Sequence, residues 1–210
     1  MKQIIFSIAT TLSLVVATAQ THVSYSPSSA KYEAATWKLK LVANPGQISI
    51  TPPPTAAQSQ AELKTVKQRM SDLDENKREQ INYWNAGAPS YRWNQVIPKL
   101  IEQKPELMLR MPASWVNLAI YDATILAWKE KIKYKRLRPH LADASLKPFI
   151  NAPVTYSYPC EHSVTASAAA NVLAYFFPEK KDSILKLAYS ASQSRIDAGV
   201  QFPSDVEAGW

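Results

Sequence analysis

The hexapeptide Tyr158-Pro159-Cys160-Glu161-His162-Ser163 and the apolar run behind it constrain this chain more than any other stretch. Ser163 to Phe177 is rich in Ala, Leu and Val and is stopped by Pro178, which predicts a buried helix. Pro159 has no backbone N–H to leave unpaired and suits the residues just ahead of a helix. His162 then falls in or beside the first turn, where free N–H groups and the positive end of the helix dipole favour an anion. Lys131 and Arg138 precede this stretch and Arg195 follows it. Three cations around a histidine at a helix start point to a site for phosphate or a similar oxyanion. The alternative is an ordinary helix start with scattered basic residues.

The chain has 210 residues, 46% hydrophobic and 20% charged, enough for one substantial core. Its net charge of +7 is uneven, with Lys129, Lys131, Lys133, Lys135, Arg136 and Arg138 crowded together and Glu130 opposing them. Such a run serves phosphate, acidic lipid or nucleic acid, or is a solvated helix end. No zinc-finger spacing or aromatic–basic interleaving supports nucleic acid. Met1 to Ala19 has the form of an export leader: Lys2, an apolar region Ile4 to Val16, then Ala17-Thr18-Ala19 before Gln20. That run is short for a bilayer span and no second one follows, so an exported protein, periplasmic or secreted and without a transmembrane anchor, is expected. Cys160 is the only cysteine, which excludes an internal disulfide and metal sites built on cysteine pairs.

Residues 20–55 form an extended, proline-containing segment in which Trp37, Leu39 and Leu41 make a short strand or lie across a helical body. A helical domain then occupies 56–210. Its expected helices are Ala61 to Met70, a second opened by an Asp72/Glu75 capping box and running to Trp84, and Trp93 to Gln103 with Pro98 inside it. A long helix from Ala113 to Arg136 follows, its inner face marked by Trp115, Leu118, Ala119, Asp122, Ile125 and Leu126. Asp122 on that stripe needs a partner, either as a group orienting a nearby cation or as a salt-bridging or capping residue. Lys131 and Arg138 are two turns apart, and Pro139 turns Arg138 out of helical geometry. After a linker and the central helix come Asp182 to Gly199 and a short helix opened by a Ser204/Glu207 capping box, cut short near Trp210. The fold class is all-α.

Lys131-Ile-Lys-Tyr-Lys-Arg-Leu-Arg138-Pro139, Pro159-Cys160-Glu161-His162 and Ser194-Arg195 with Gln201 and Asp205 further on form three ordered motifs. In this order and spacing they resemble the type 2 phosphatidic-acid phosphatase and vanadium haloperoxidase superfamily, over about Asp72 to Trp210. Asp122-Ala123 through Trp128 is similar to its soluble haloperoxidase-like branch. The first motif matches in full. The second keeps the proline and histidine of Pro-Ser-Gly-His, with Cys160 and Glu161 between them. The third carries Gln201 where the family has histidine.

The resemblance implies a helical bundle that binds phosphate or vanadate and, as an acid-phosphatase-like protein, hydrolyses phosphate monoesters. Lys131, Arg138 and Arg195 neutralise the oxyanion, Arg offering a planar fork. Cys160 and Glu161 line the same site, and His162 protonates the leaving oxygen. Gln201 stands where the phosphatases have their nucleophile and the haloperoxidases their vanadium ligand, and its amide nitrogen has no lone pair for either role. Asp205 orients the family's histidine and is here expected to have lost that usual partner. The alternatives are a vanadium-dependent haloperoxidase, with vanadate as cofactor, and a degenerate member that binds phosphate without turnover. No other metal or cofactor is implied; the partner is a small phosphate ester or oxyanion.

Overall fold

The computed structural model describes residues 33–210, so the expected leader Met1 to Ala19 lies outside the described residues. Among them every regular element is helical: α1 (Ala56–Ser71), α2 (Glu75–Trp84), α3 (Tyr91–Ile101), α4 (Pro112–Tyr134), α5 (Pro139–Ala142), α6 (Glu161–Phe176), α7 (Lys181–Asp197) and α8 (Pro203–Glu207). None of these helices is long and apolar enough to cross a membrane.

The predicted central helix is α6, packed between α4 and α7. Ala166, Ala169, Ala170 and Leu173 repeat at helical spacing and are completely buried. Their small side chains let neighbouring backbones come close, and larger groups fill the remaining space. Trp84, Trp93 and Ile97 come from α2 and α3, Val116 and Ile120 from α4, Ile184 and Ala188 from α7.

Several expected boundaries move for local reasons. Helix α1 begins five residues early because Thr55 and Gln58 form a reciprocal cap. Asp72 is the C-cap of α1, and Asp74, not Asp72, caps α2 by accepting from Lys77 N at 2.8 Å. On α4 the buried stripe runs through Val116, Ile120, Asp122, Ile125, Ala127 and Trp128, while Trp115 is half exposed. Ser204 is not the cap of α8. Pro203 opens that helix, and Asp205 Oδ2 turns back to accept from Phe202 N at 2.8 Å. Short as α8 is, Val206 is buried with Leu63, Val66, Leu146, Ile196 and Phe202, so one turn does bury a face when the surroundings supply the pocket.

Residues 37–42 form no strand and lie across α4, held by Asp122. Its carboxylate accepts from the backbone N–H groups of Lys40 (2.7 Å), Leu41 (2.7 Å) and Val42 (2.9 Å). Burial raises this carboxyl's pKa, but the three donors carry it below its usual range. Asp122 therefore acts as a cap for a neighbouring segment. Asp122→Ala strands these donors and is expected to cost about 1–3 kcal/mol. Urea unfolding measures the loss, and hydrogen exchange at Lys40 to Val42 should accelerate; unchanged exchange there would refute the tie.

Candidate functional site

Lys131 lies on the last turn of α4 and is fully buried, its Nζ donating to the carbonyls of Tyr156 (2.6 Å) and Ser157 (3.2 Å). Burial lowers its pKa to about 8, against the pull of Glu161. Lys135 ends α4 in the left-handed region, φ 49°, turning the chain toward Arg138. Arg138, held extended before Pro139, sends its guanidinium into the core. There Nε donates to Thr155 O (2.7 Å), Nη1 to Val200 O (2.8 Å) and Nη2 to Thr155 Oγ1 (2.8 Å). The fork expected for an anion is thus largely occupied by the 155–157 and 200 loops. It acts as a buried positive charge that fixes those loops.

Arg195 reaches the same region from the last turn of α7. It is 1% exposed; Nη2 donates to Asn85 Oδ1 at 3.3 Å, and Nη1 has no partner. Burial lowers its pKa to about 10. Gly199 closes α7 with φ 74°, Gly199 N donating to Ile196 O (2.9 Å) and Val200 N to Arg195 O (3.2 Å). This paired closure needs a left-handed residue and swings Gln201 back toward Arg138.

At the start of α6, Cys160 is the N-cap and is fully buried beside the Leu63–Val206 cluster; its sulfur also lies within electrostatic reach of Lys131, Arg138 and Arg195. Glu161, in the first turn, is the strongest single charge acting on Lys131 and on Arg138. His162 is half-buried as a residue, but its Nε2 is closed off from solvent and unpartnered. Burial first, and Arg195 next, hold its pKa well below the ordinary value, so the free site carries a neutral imidazole. The structure therefore brings Lys131, Arg138, Glu161, His162 and Arg195 into one buried cluster, with Arg195 Nη1 and His162 Nε2 unmatched. The larger cavities lie elsewhere. One of about 750 Å³ sits between residues 41–54, α4 and the α8 end, and is mainly apolar.

At Asp205 the amide of Gln201 stands in place of the usual histidine partner. With its amide set so that every atom meets a complementary group, Gln201 Nε2 donates to Asp205 Oδ2 (2.9 Å) and Ser157 O (2.9 Å). Its Oε1 accepts from Arg138 Nη1 at 2.8 Å. Asp205 also accepts from Ser157 Oγ (2.5 Å) and from Arg136 Nη1 (2.7 Å). Burial pushes its pKa up while Arg136 pulls it down; every group around it is a donor, so it is held as a carboxylate. Arg136 was not among the sequence-predicted site residues. It joins Asp205 and Ser204 to Ser59 Oγ (2.8 Å) and Glu62 Oε2 (2.6 Å) of α1. The available signal was its place two residues before Arg138, but a basic run offers no way to tell the inward-facing member from the solvated ones.

The sequence model of the PAP2 superfamily matches residues 113–210, which hold all of these groups except Asn85, Ser59 and Glu62. Over these residues the chain is similar to the PAP2 superfamily. A non-specific acid phosphatase from Providencia stuartii is 38% identical over 94 residues, 42% of this chain and 38% of that protein. Three solved structures share the fold of this chain. The first bacterial vanadium-dependent iodoperoxidase superposes with TM-score 0.76 at 19% identity, over 85% of this chain and 53% of that one. A holo-type bacterial vanadium-dependent chloroperoxidase gives 0.68 at 13%, over 85% and 51%. The transmembrane PAP2-type phosphatidylglycerolphosphate phosphatase from Bacillus subtilis gives 0.55 at 20%, over 74% and 80%. The chain spans about half the length of the two peroxidases and less of the acid phosphatase.

Vanadate as a resident cofactor does not fit the residues present in this site. Where the motif resemblance implies a coordinating imidazole stands Gln201, whose nitrogen is a donor to Asp205 and whose oxygen is engaged by Arg138. The site can instead receive an anion by hydrogen bonds, from Arg195 Nη1 and from the third proton of Lys131, with two already given to carbonyls.

Proposed function

We propose that the PAP2-like domain is an acid-phosphatase-type site that binds phosphate or phosphate monoesters through Lys131, Arg195 and the charge of Arg138. In this reading Gln201 blocks hydrolysis through a phosphohistidine. The observation that carries it is the Gln201 amide, held between Asp205 and Arg138 in the geometry of an orienting pair but without a nucleophilic lone pair. The acid phosphatase relative supports phosphate esters as the ligand class. The leader-like Met1 to Ala19 supports export to the periplasm or medium. Mass spectrometry of the mature protein is expected to find the N-terminus at Gln20, and an intact Met1 would overturn export.

Phosphate binding by calorimetry is the direct test. Arg195→Ala is expected to weaken binding by about tenfold or more, because a hydrogen bond between charged groups is lost in a buried setting. Lys135→Ala, an exposed cation on the same basic run, should change it less than about twofold at physiological salt. Equal losses would defeat the assignment. Affinity should also fall as pH rises through about 8, where Lys131 in the free site gives up its proton.

A further inference from the structure

We propose that Glu161 tunes the charge of the anion this site accepts, disfavouring doubly charged oxyanions relative to singly charged ones. The inference rests on the oxyanion-site reading above and names a property of that site. Glu161 stands in the first turn of α6, where a helix start would otherwise add to the positive field. Its carboxylate is the leading charge acting on Lys131 and Arg138, and it acts on Arg195 as well. Yet among the described residues it forms an ion pair with none of them. Its hydrogen-bond donor is Thr155 Oγ1, at 3.4 Å, and that same hydroxyl accepts from Arg138 Nη2.

The carboxylate is thus held beside the cations without capping them. Arg195 Nη1 remains unpartnered in a side chain that is 1% exposed. An anion drawn to that donor meets three positive charges and the negative charge of Glu161, the leading one, with Asp205 a lesser one acting on Lys131 and Arg138. Arg136 adds no surplus, since it is already paired with both Asp205 and Glu62. Glu161 repels a dianion about twice as strongly as a monoanion at the same seat.

Tungstate and perrhenate provide the test, being tetrahedral oxyanions of nearly equal size that carry two charges and one. Calorimetry would compare the unaltered protein with Glu161→Gln and Glu161→Asp. In Glu161→Gln tungstate affinity is expected to rise about tenfold to a hundredfold, and perrhenate affinity by about the square root of that factor. Glu161→Asp keeps the charge and should leave the tungstate-to-perrhenate ratio within about threefold of the original. An equal rise for both anions would make Glu161 a steric plug and overturn the proposal, as would no change in either. If neither anion binds any of the three proteins, the oxyanion-site reading itself falls with it.

Discussion

Gln201→His is expected to raise aryl phosphate hydrolysis by about two to four orders of magnitude over the unaltered protein, the range a well-placed acid–base or nucleophilic group contributes. The reason lies in what the substitution leaves in place. Asp205 already accepts a hydrogen bond from residue 201 at 2.9 Å, and is itself fixed by Ser157, Phe202 N and Arg136. An imidazole with one N–H on Asp205 presents its other nitrogen on the side where the amide oxygen now meets Arg138, and that nitrogen carries the nucleophilic lone pair an amide lacks. That nitrogen can form a bond to phosphorus as the ester P–O bond breaks, the leaving oxygen taking a proton from His162. His162 is neutral in the free site because of burial and Arg195, and a bound phosphate restores the charge balance that lets it hold that proton. Gln201→His/His162→Ala should therefore fall back toward the unaltered protein. Turnover by the unaltered protein that His162→Ala abolishes would sink this account and require another nucleophile, such as water. A Gln201→His variant that binds phosphate yet stays silent would sink it too.

The parts of the fold legible in the chain were those set by local chemistry. The Ala-rich run after His162, the Pro178 stop, the Pro139 break and the Gly199 closure are each decided within a few residues, and α4, α6 and α7 follow from them. The capping residues were harder to place. Asp72, Asp74 and Glu75 all offer a carboxylate within one turn, and which of them accepts depends on where α1 ends. Asp122 shows the same limit at longer range, its three donors lying 80 to 82 residues away in a segment with no periodicity. In the site, Lys131, Arg138, His162 and Arg195 were readable as a set because their motifs occur in order. That Arg138 would be occupied by loop carbonyls, and that Gln201 would keep Asp205 company, are facts of tertiary geometry.

Arg136→Met is expected to destabilise the protein by about 3–5 kcal/mol, the usual cost of removing one partner of a buried ion pair. Against a total stability of about 5–15 kcal/mol this is a large fraction. The Arg136 side chain is 8% exposed, Asp205 is wholly buried, and Glu62 is only slightly more open. With Arg136 gone, two carboxylates keep their burial and lose their counter-charge, and the link between α1 and α8 is reduced to the bonds from Ser204 N and Oγ to Glu62. The guanidinium also lies 4.2 Å over the Phe202 ring, a contact that methionine replaces only in part. Arg136→Lys should fall between the two, keeping the charge but not the planar fork that reaches four oxygens. The pH dependence carries the sharper signature. Burial already raises the Asp205 pKa, and Arg136 is the first charge opposing that rise. Without it the folded-state pKa moves further above the unfolded value, so the folded variant binds a proton more readily than the unfolded chain does. Its stability then declines as pH rises through that interval and recovers as pH falls. Urea unfolding at acid and neutral pH should therefore show the Arg136→Met deficit shrinking toward acid. A deficit under about 1 kcal/mol, the scale of an exposed pair, would mean that Arg136 behaves as a surface residue and does not hold Asp205 in place.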